Sequence, residues 1–153
     1  MPRKLYVVIV CLAIAQISYA QPRSLRAVFT DVPPHIDGVL DDEVWKTAER
    51  SGGFIMDKPN PGKPHGQYSE VAVMYDNQSV YVGFWNYDTA PDSILRQLCG
   101  RDQGCNTDYC AVTFSCLQDG VNGFMFIVSP NGTQGDARVD GNGMDLSWNA
   151  VWY

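Results

Sequence analysis

Two apolar segments, EVAVMYD (70–76) and SVYVGFWNYD (79–88), are separated only by Asn77 and Gln78. β-branched and aromatic residues crowd both, and the two-residue connection is that of a hairpin. A second pair repeats the pattern: DYCAVTFSC (108–116) and GFMFIVSP (123–130), with QDGVNG between them. DARVD (136–140) and LSWNAVW (146–152) read as two more strands joined by GNGMD, and Ala27–Val28–Phe29 reads as a first strand ended by Pro33–Pro34. Short strands with a turn signal every ten residues or so predict an all-β fold, an antiparallel β-sandwich of jelly-roll type with one or two short helices.

The helices fall in two places. In HIDGVLDDEVWKTA (35–48), Asp41 reads as the N-cap, with Asp42 and Glu43 in the first turn, where carboxylates complement the positive helix end. Leu40 and Trp45 have the spacing of a hydrophobic staple, and Arg50 suits the helix C-terminus. The acids here are adjacent, whereas glycoside hydrolysis needs two carboxylates about 5–10 Å apart across a substrate. The motif therefore reads as fold-building. DSILRQLCG (92–100) is expected to form a short amphipathic helical turn closed by Gly100.

MPRKLYVVIVCLAIAQISYA (1–20) has the basic, apolar and small-residue order of a cleaved secretory signal, and its apolar run is shorter than the roughly 20 residues that span a bilayer. The expected mature domain is residues 21–153, exported to the periplasm or the outer membrane and cell surface. Without Arg3 and Lys4 it carries nine basic against 17 acidic residues. That balance argues against nucleic acid and suits neutral ligands such as a poly- or oligosaccharide.

Cys99, Cys105, Cys110 and Cys116 remain after processing and lack zinc-ligand spacing. Export favours disulfides, in one of three connectivities. Cys110 and Cys116 lie about 20 Å apart along one strand and should not pair with each other.

Seven pieces between Ile36 and Trp152 carry a resemblance: IDGVLDDEVW, DKPNPGKP, VAVMYDNQSVYVGFWNYD, RQLCGRD, NTDYCAVTFSC, DGVNGFMFIVSPNGTQGDA and SWNAVW. Their order resembles the family 9 carbohydrate-binding module, in the version at the start of large bacterial outer-membrane proteins. The resemblance implies a β-sandwich and, in long relatives, a following membrane-embedded C-terminal region like a β-barrel. This chain departs at Cys116, where the family usually has aspartate, at Cys110, where a bulky aromatic is common, and at Trp85, where a basic residue is frequent. The family's further strand-rich segment after Trp152 is also missing, so the domain is expected to be C-terminally incomplete.

Sugar binding needs an aromatic face with planar polar groups around it. The candidates are Trp85, which shares a strand face with Tyr81, Gly83 and Tyr87, and the pair Trp148 and Trp152, about 13 Å apart on one strand. For each tryptophan the alternative is a place in the core. Arg101 and Asp102 are polar loop candidates, Arg101 as a bidentate donor to sugar hydroxyls or to a carboxylate. Asp140, Asn142 and Asp145 offer three side-chain oxygens for calcium, with a plain turn as the alternative. The resemblance implies calcium too, since the family's modules can hold it. Three functions follow: a non-catalytic carbohydrate-binding domain, a structural domain of an outer-membrane protein without sugar affinity, or an accessory module of a glycoside hydrolase. No Ser-His-Asp set, zinc motif or separated carboxylate pair marks the chain as the enzyme itself.

Overall fold

The computed structural model describes residues 24–153. The expected signal segment at 1–20 lies outside them. The fold is all-β, with two four-stranded sheets and two short 3-10 turns.

The first sheet is built on the predicted hairpin. Strands β1 (Val28–Phe29), β2 (Arg50–Gly52), β3 (Ser69–Tyr75) and β4 (Val80–Asn86) form it. β4 runs antiparallel along the whole of β3, from Ser69↔Asn86 to Tyr75↔Val80. The other edge of β3 is shared end to end: β2 pairs antiparallel at residues 70–72 and β1 parallel at 74–75. Asp76 closes the hairpin by accepting hydrogen bonds from the Gln78 and Ser79 amides.

Ala72 and Met74 are fully buried on one face of this sheet, opposite Gly83 and Tyr81. Trp45 lies on them from the 3-10 turn Glu43–Lys46, with Leu40, Val44 and Ala48 around it. A Cβ at Gly83 would stand 3.1 Å from the Trp45 ring, so glycine there lets the indole rest on the sheet.

This turn differs from the expected helix. It starts at Glu43 with Asp42 as N-cap residue, and ends at Lys46. The Asp42 carboxylate accepts hydrogen bonds from the His35 amide and ring Nδ1 (3.2 and 2.7 Å) rather than capping the turn. So short a helix gains little from its own hydrogen bonds. Arg50 instead enters β2, where the ladder to β3 satisfies the backbone.

The second sheet runs in order through β5 (Cys110–Phe114), β6 (Gly123–Val128), β7 (Gln134–Asp140) and β8 (Gly143–Asp145), all antiparallel. The Asn86 amide donates to Cys110 Sγ (3.0 Å), tying β4 to β5, and Phe114 borders a hollow with Val73, Tyr75 and Val80 of the first sheet.

Two sequence expectations give way here. The helix expected over 92–100 shrinks to the end of a 3-10 turn, Pro91–Ser93; Arg96 bridges Thr107 instead, and the Leu95 backbone exchanges hydrogen bonds with Asp108. Residues 146–152 form no strand. Side chains satisfy that segment's backbone: Asp136 accepts from the Ala150 amide, and Gln134 donates to the Trp152 carbonyl.

Of the four cysteines expected in disulfides, Cys99 and Cys105 are bonded, with 6.5 Å between their Cα atoms, while Cys110 and Cys116 are free thiols. Burial pushes the Cys110 thiol pKa up, against a smaller opposing effect of the Asn86 hydrogen bond. No helix of the described residues is long and apolar enough to cross a membrane.

Candidate functional site

The face of the first sheet that carries Trp45 has two halves. Strand alternation puts Met74, Ala72 and Glu70 on it from β3 and Tyr81, Gly83 and Trp85 from β4, and Tyr68 and Tyr87, just beyond the two strand ends and joined by the Tyr87 amide to the Tyr68 carbonyl, continue it. Trp45 covers the first half. Trp85 forms the boundary, edge-on to Trp45 at 5.8 Å, with the Arg50 guanidinium lying over its ring 3.8 Å from the centroid. Its ring is thus already occupied by Arg50 and packed into the core.

Beyond Trp85 the face is open. Tyr68 and Tyr87 stack at 5.8 Å with 26° between their planes, and they are 53% and 49% exposed. Both hydroxyls donate to Glu70, at 3.2 and 3.4 Å, and Arg50 stands 3.6 Å from the same carboxylate. The hydrogen bond to Glu70, and then its charge, raise the Tyr68 pKa. The result is an aromatic wall with a carboxylate and a guanidinium fixed beside it. Such a wall can take the apolar C–H face of a sugar ring while the charged groups hold hydroxyls.

Four sequence candidates meet on the second sheet instead. Trp148 packs on Phe124 (4.7 Å) and Phe126 (6.0 Å), and Trp152 packs edge-on to Phe126 (5.3 Å). Both rings therefore serve the aromatic cluster of this sheet. Arg101 donates to Asp136 (2.6 Å), to Gln134 (2.9 Å) and to the Ala150 carbonyl (2.8 Å). Asp102 accepts the Asp136 amide hydrogen bond at 2.9 Å and stands 3.4 Å from Arg101 Nε. Arg101 thus binds the chain's own segment 146–152 to β7, while Asp102 holds Arg101 and the β7 backbone. Their centre is Asp136, fully buried, which sequence reasoning missed.

Burial by itself would raise the Asp136 pKa; the Ala150 amide, and then Arg101, outweigh it and hold the carboxyl below the usual range. Asp119 is drawn down to about 2 by the Asn122 side chain and by the Asn122 and Val121 amides. Asp76 and Asp145 are lowered too, by Tyr81 and Ser147 respectively as the largest downward influences. A depressed carboxyl contributes stability above its unfolded pKa, near ~4, and loses it as pH falls through the folded value. Thermal midpoints are therefore expected to hold from pH 7 to about 5 and to fall between about pH 4 and 2. A midpoint that stayed level down to pH 2 would show that these carboxylates carry no folding free energy.

The DGNGMD segment is the hairpin between β7 and β8. Asp140 accepts from the Asn142 amide (2.7 Å), while Asp145 accepts from Ser147 and lies 3.2 Å from Arg138. Among the described residues no group of three His, Cys, Asp or Glu side chains converges as a metal-holding set.

Compared with family models, with curated proteins and with solved structures, the chain matches none of them. Its functional reading rests on this geometry and on the sequence.

Proposed function

We propose that this chain is a non-catalytic carbohydrate-binding domain of an exported cell-envelope protein, and that the open half of the first sheet is its binding face. The half-exposed Tyr68–Tyr87 pair, with both hydroxyls tied to Glu70 and the Arg50–Trp85 stack alongside, carries this reading. An acidic chain of net charge −6 suits a neutral glycan better than an anionic one. The resemblance to family 9 modules points the same way and adds calcium to the ligands to be tested with the sugar.

One observation favours a purely structural role within a larger envelope protein. Trp45 is buried, and Trp85, Trp148 and Trp152 are all packed on neighbouring rings. Thermal unfolding with a panel of neutral oligosaccharides, with and without calcium, separates the two readings. A ligand that binds only the folded state adds about 2.7 kcal/mol at a hundred times its Kd. One sugar class is expected to raise the midpoint, and Tyr87→Ala to weaken that sugar about tenfold, equivalent to ~1.4 kcal/mol. If no sugar moved the midpoint, the structural role would stand in its place.

A further inference from the structure

A separate cleft of about 230 Å³ lies between the loop 99–105 and the second sheet. Ile127 and Gly135 belong to its floor, directly paired across β6 and β7 and facing away from Phe126. Tyr109 and Leu146 also line it, and they are 65% and 53% exposed.

The loop wall is fastened at three points. The Cys99–Cys105 disulfide closes it, the Asp102 amide donates to the Gln134 carbonyl at 3.3 Å, and Thr133 Oγ1 donates to the Cys99 carbonyl at 3.4 Å. A cleft held in this way need not be ordered by its ligand, which lowers the free-energy cost of binding.

Gly135 is informative. Its φ lies outside the left-handed region, and a Cβ there would meet Asp102 Oδ1 at 3.7 Å and Ile127 Cβ at 3.8 Å, ordinary contact distances. Neither backbone conformation nor crowding calls for glycine at this position. What the missing side chain does is leave the floor of the cleft open.

The lining chemistry narrows the occupant. The Gln103 side-chain amide supplies neutral hydrogen-bonding groups, and Thr107 and Thr133, whose hydroxyls donate to the Leu95 and Cys99 carbonyls, keep acceptor lone pairs, while Tyr109, Ile127 and Leu146 supply apolar surface. The one charged residue of the lining, Asp102, has its carboxylate engaged by the Asp136 amide and by Arg101. Among the described residues no cation lines the cleft to hold an anion. Drug-sized ligands occupy roughly 300–1,000 Å³, so this volume suits something smaller.

We infer that this cleft is a second binding site, for a single neutral, hydroxylated ring of the size of a pyranose, with the ring stacked on Tyr109. It is independent of the Tyr68–Tyr87 face and stands or falls separately.

The test is a titration of the ¹⁵N-labelled chain with D-glucose, D-galactose, D-mannose and D-xylose, following backbone amide shifts. Saturable shifts at Gly135, Thr133 and Gln103 are expected for at least one of the four. Gly135→Ala should weaken that binding at least tenfold with the thermal midpoint retained, and Tyr109→Ala, at an exposed position, should weaken it too. Tyr87→Ala should leave these shifts in place, which keeps this site distinct from the aromatic face. Absence of saturable shifts around the cleft with all four sugars would overturn the inference. So would undiminished binding by a folded Gly135→Ala, or, should that variant not fold, by Tyr109→Ala.

Discussion

Replacing Trp45 with alanine is expected to lower the unfolding free energy by about 3–5 kcal/mol, the range for truncating a buried aromatic. Trp45 is 3% exposed and touches the core from a turn with few hydrogen bonds of its own. Ala72, Met74 and Gly83 are small or unbranched beneath it, and Trp85 meets it edge-on. Ala72 and Gly83 have no side chain long enough to fill the space and their backbones are held in the β3–β4 ladder, so of these three Met74 alone can partly close it. The thermal midpoint should fall by about 15 °C for a chain of this length. Circular dichroism melts would measure it, and a loss under about 1 kcal/mol would mean that the turn does not anchor the sheet.

Arg101→Leu is expected to cost about 3 kcal/mol, at the lower end for breaking a buried pair because the Arg101 side chain is itself 34% exposed. The variant leaves Asp136 buried with its Ala150 hydrogen bond but without its cation. Amide exchange at Ala150 should accelerate as segment 146–152 loosens from β7, and Trp148 and Trp152 should become more exposed to a fluorescence quencher. Changing both partners, Arg101→Leu with Asp136→Leu, should restore part of the loss, since the charge left behind causes much of the penalty. If the double variant were as unstable as the sum of the singles, the two residues would act independently.

Much of the sheet structure is legible in the sequence. EVAVMYDNQSVYVGFWNYD is rich in β-branched and aromatic residues over both arms with a two-residue link, and it folds as the β3–β4 hairpin. CAVTF and GFMFIV pair as β5 and β6 across a longer turn that carries Asp119–Gly120. Local pattern determines pairing where the strands are neighbours in the chain. It failed for LSWNAVW, which alternates like a strand but lies against β7 through side chains of Gln134, Asp136 and Arg101. Nothing local to residues 146–152 records that their backbone partners are distant side chains.

Site residues were harder to read. Trp85 shares its face with Tyr87, as alternation requires, but whether that face is core or surface depends on how far Trp45 reaches. It reaches just to Trp85, so one strand face is core at Met74 and open at Tyr68. Asp136 is the clearest inversion. Gln134, Asp136 and Arg138 form the polar side of β7 and would be taken for its solvent side. The register sets Asp136 opposite Phe126, under the segment that carries Trp152.

The all-β class, the two main hairpins and the acidic balance of the chain can be read from the residues alone. These follow from β-branched and aromatic content, turn chemistry and charge, which act over a few residues or over the whole composition. The tertiary structure decided which cysteines join, which tryptophans are covered, and that Arg101, Asp136 and Ala150 meet across 35 and 14 residues of chain. Those outcomes depend on burial and on contacts between remote segments, and both exist only once the sheets have formed.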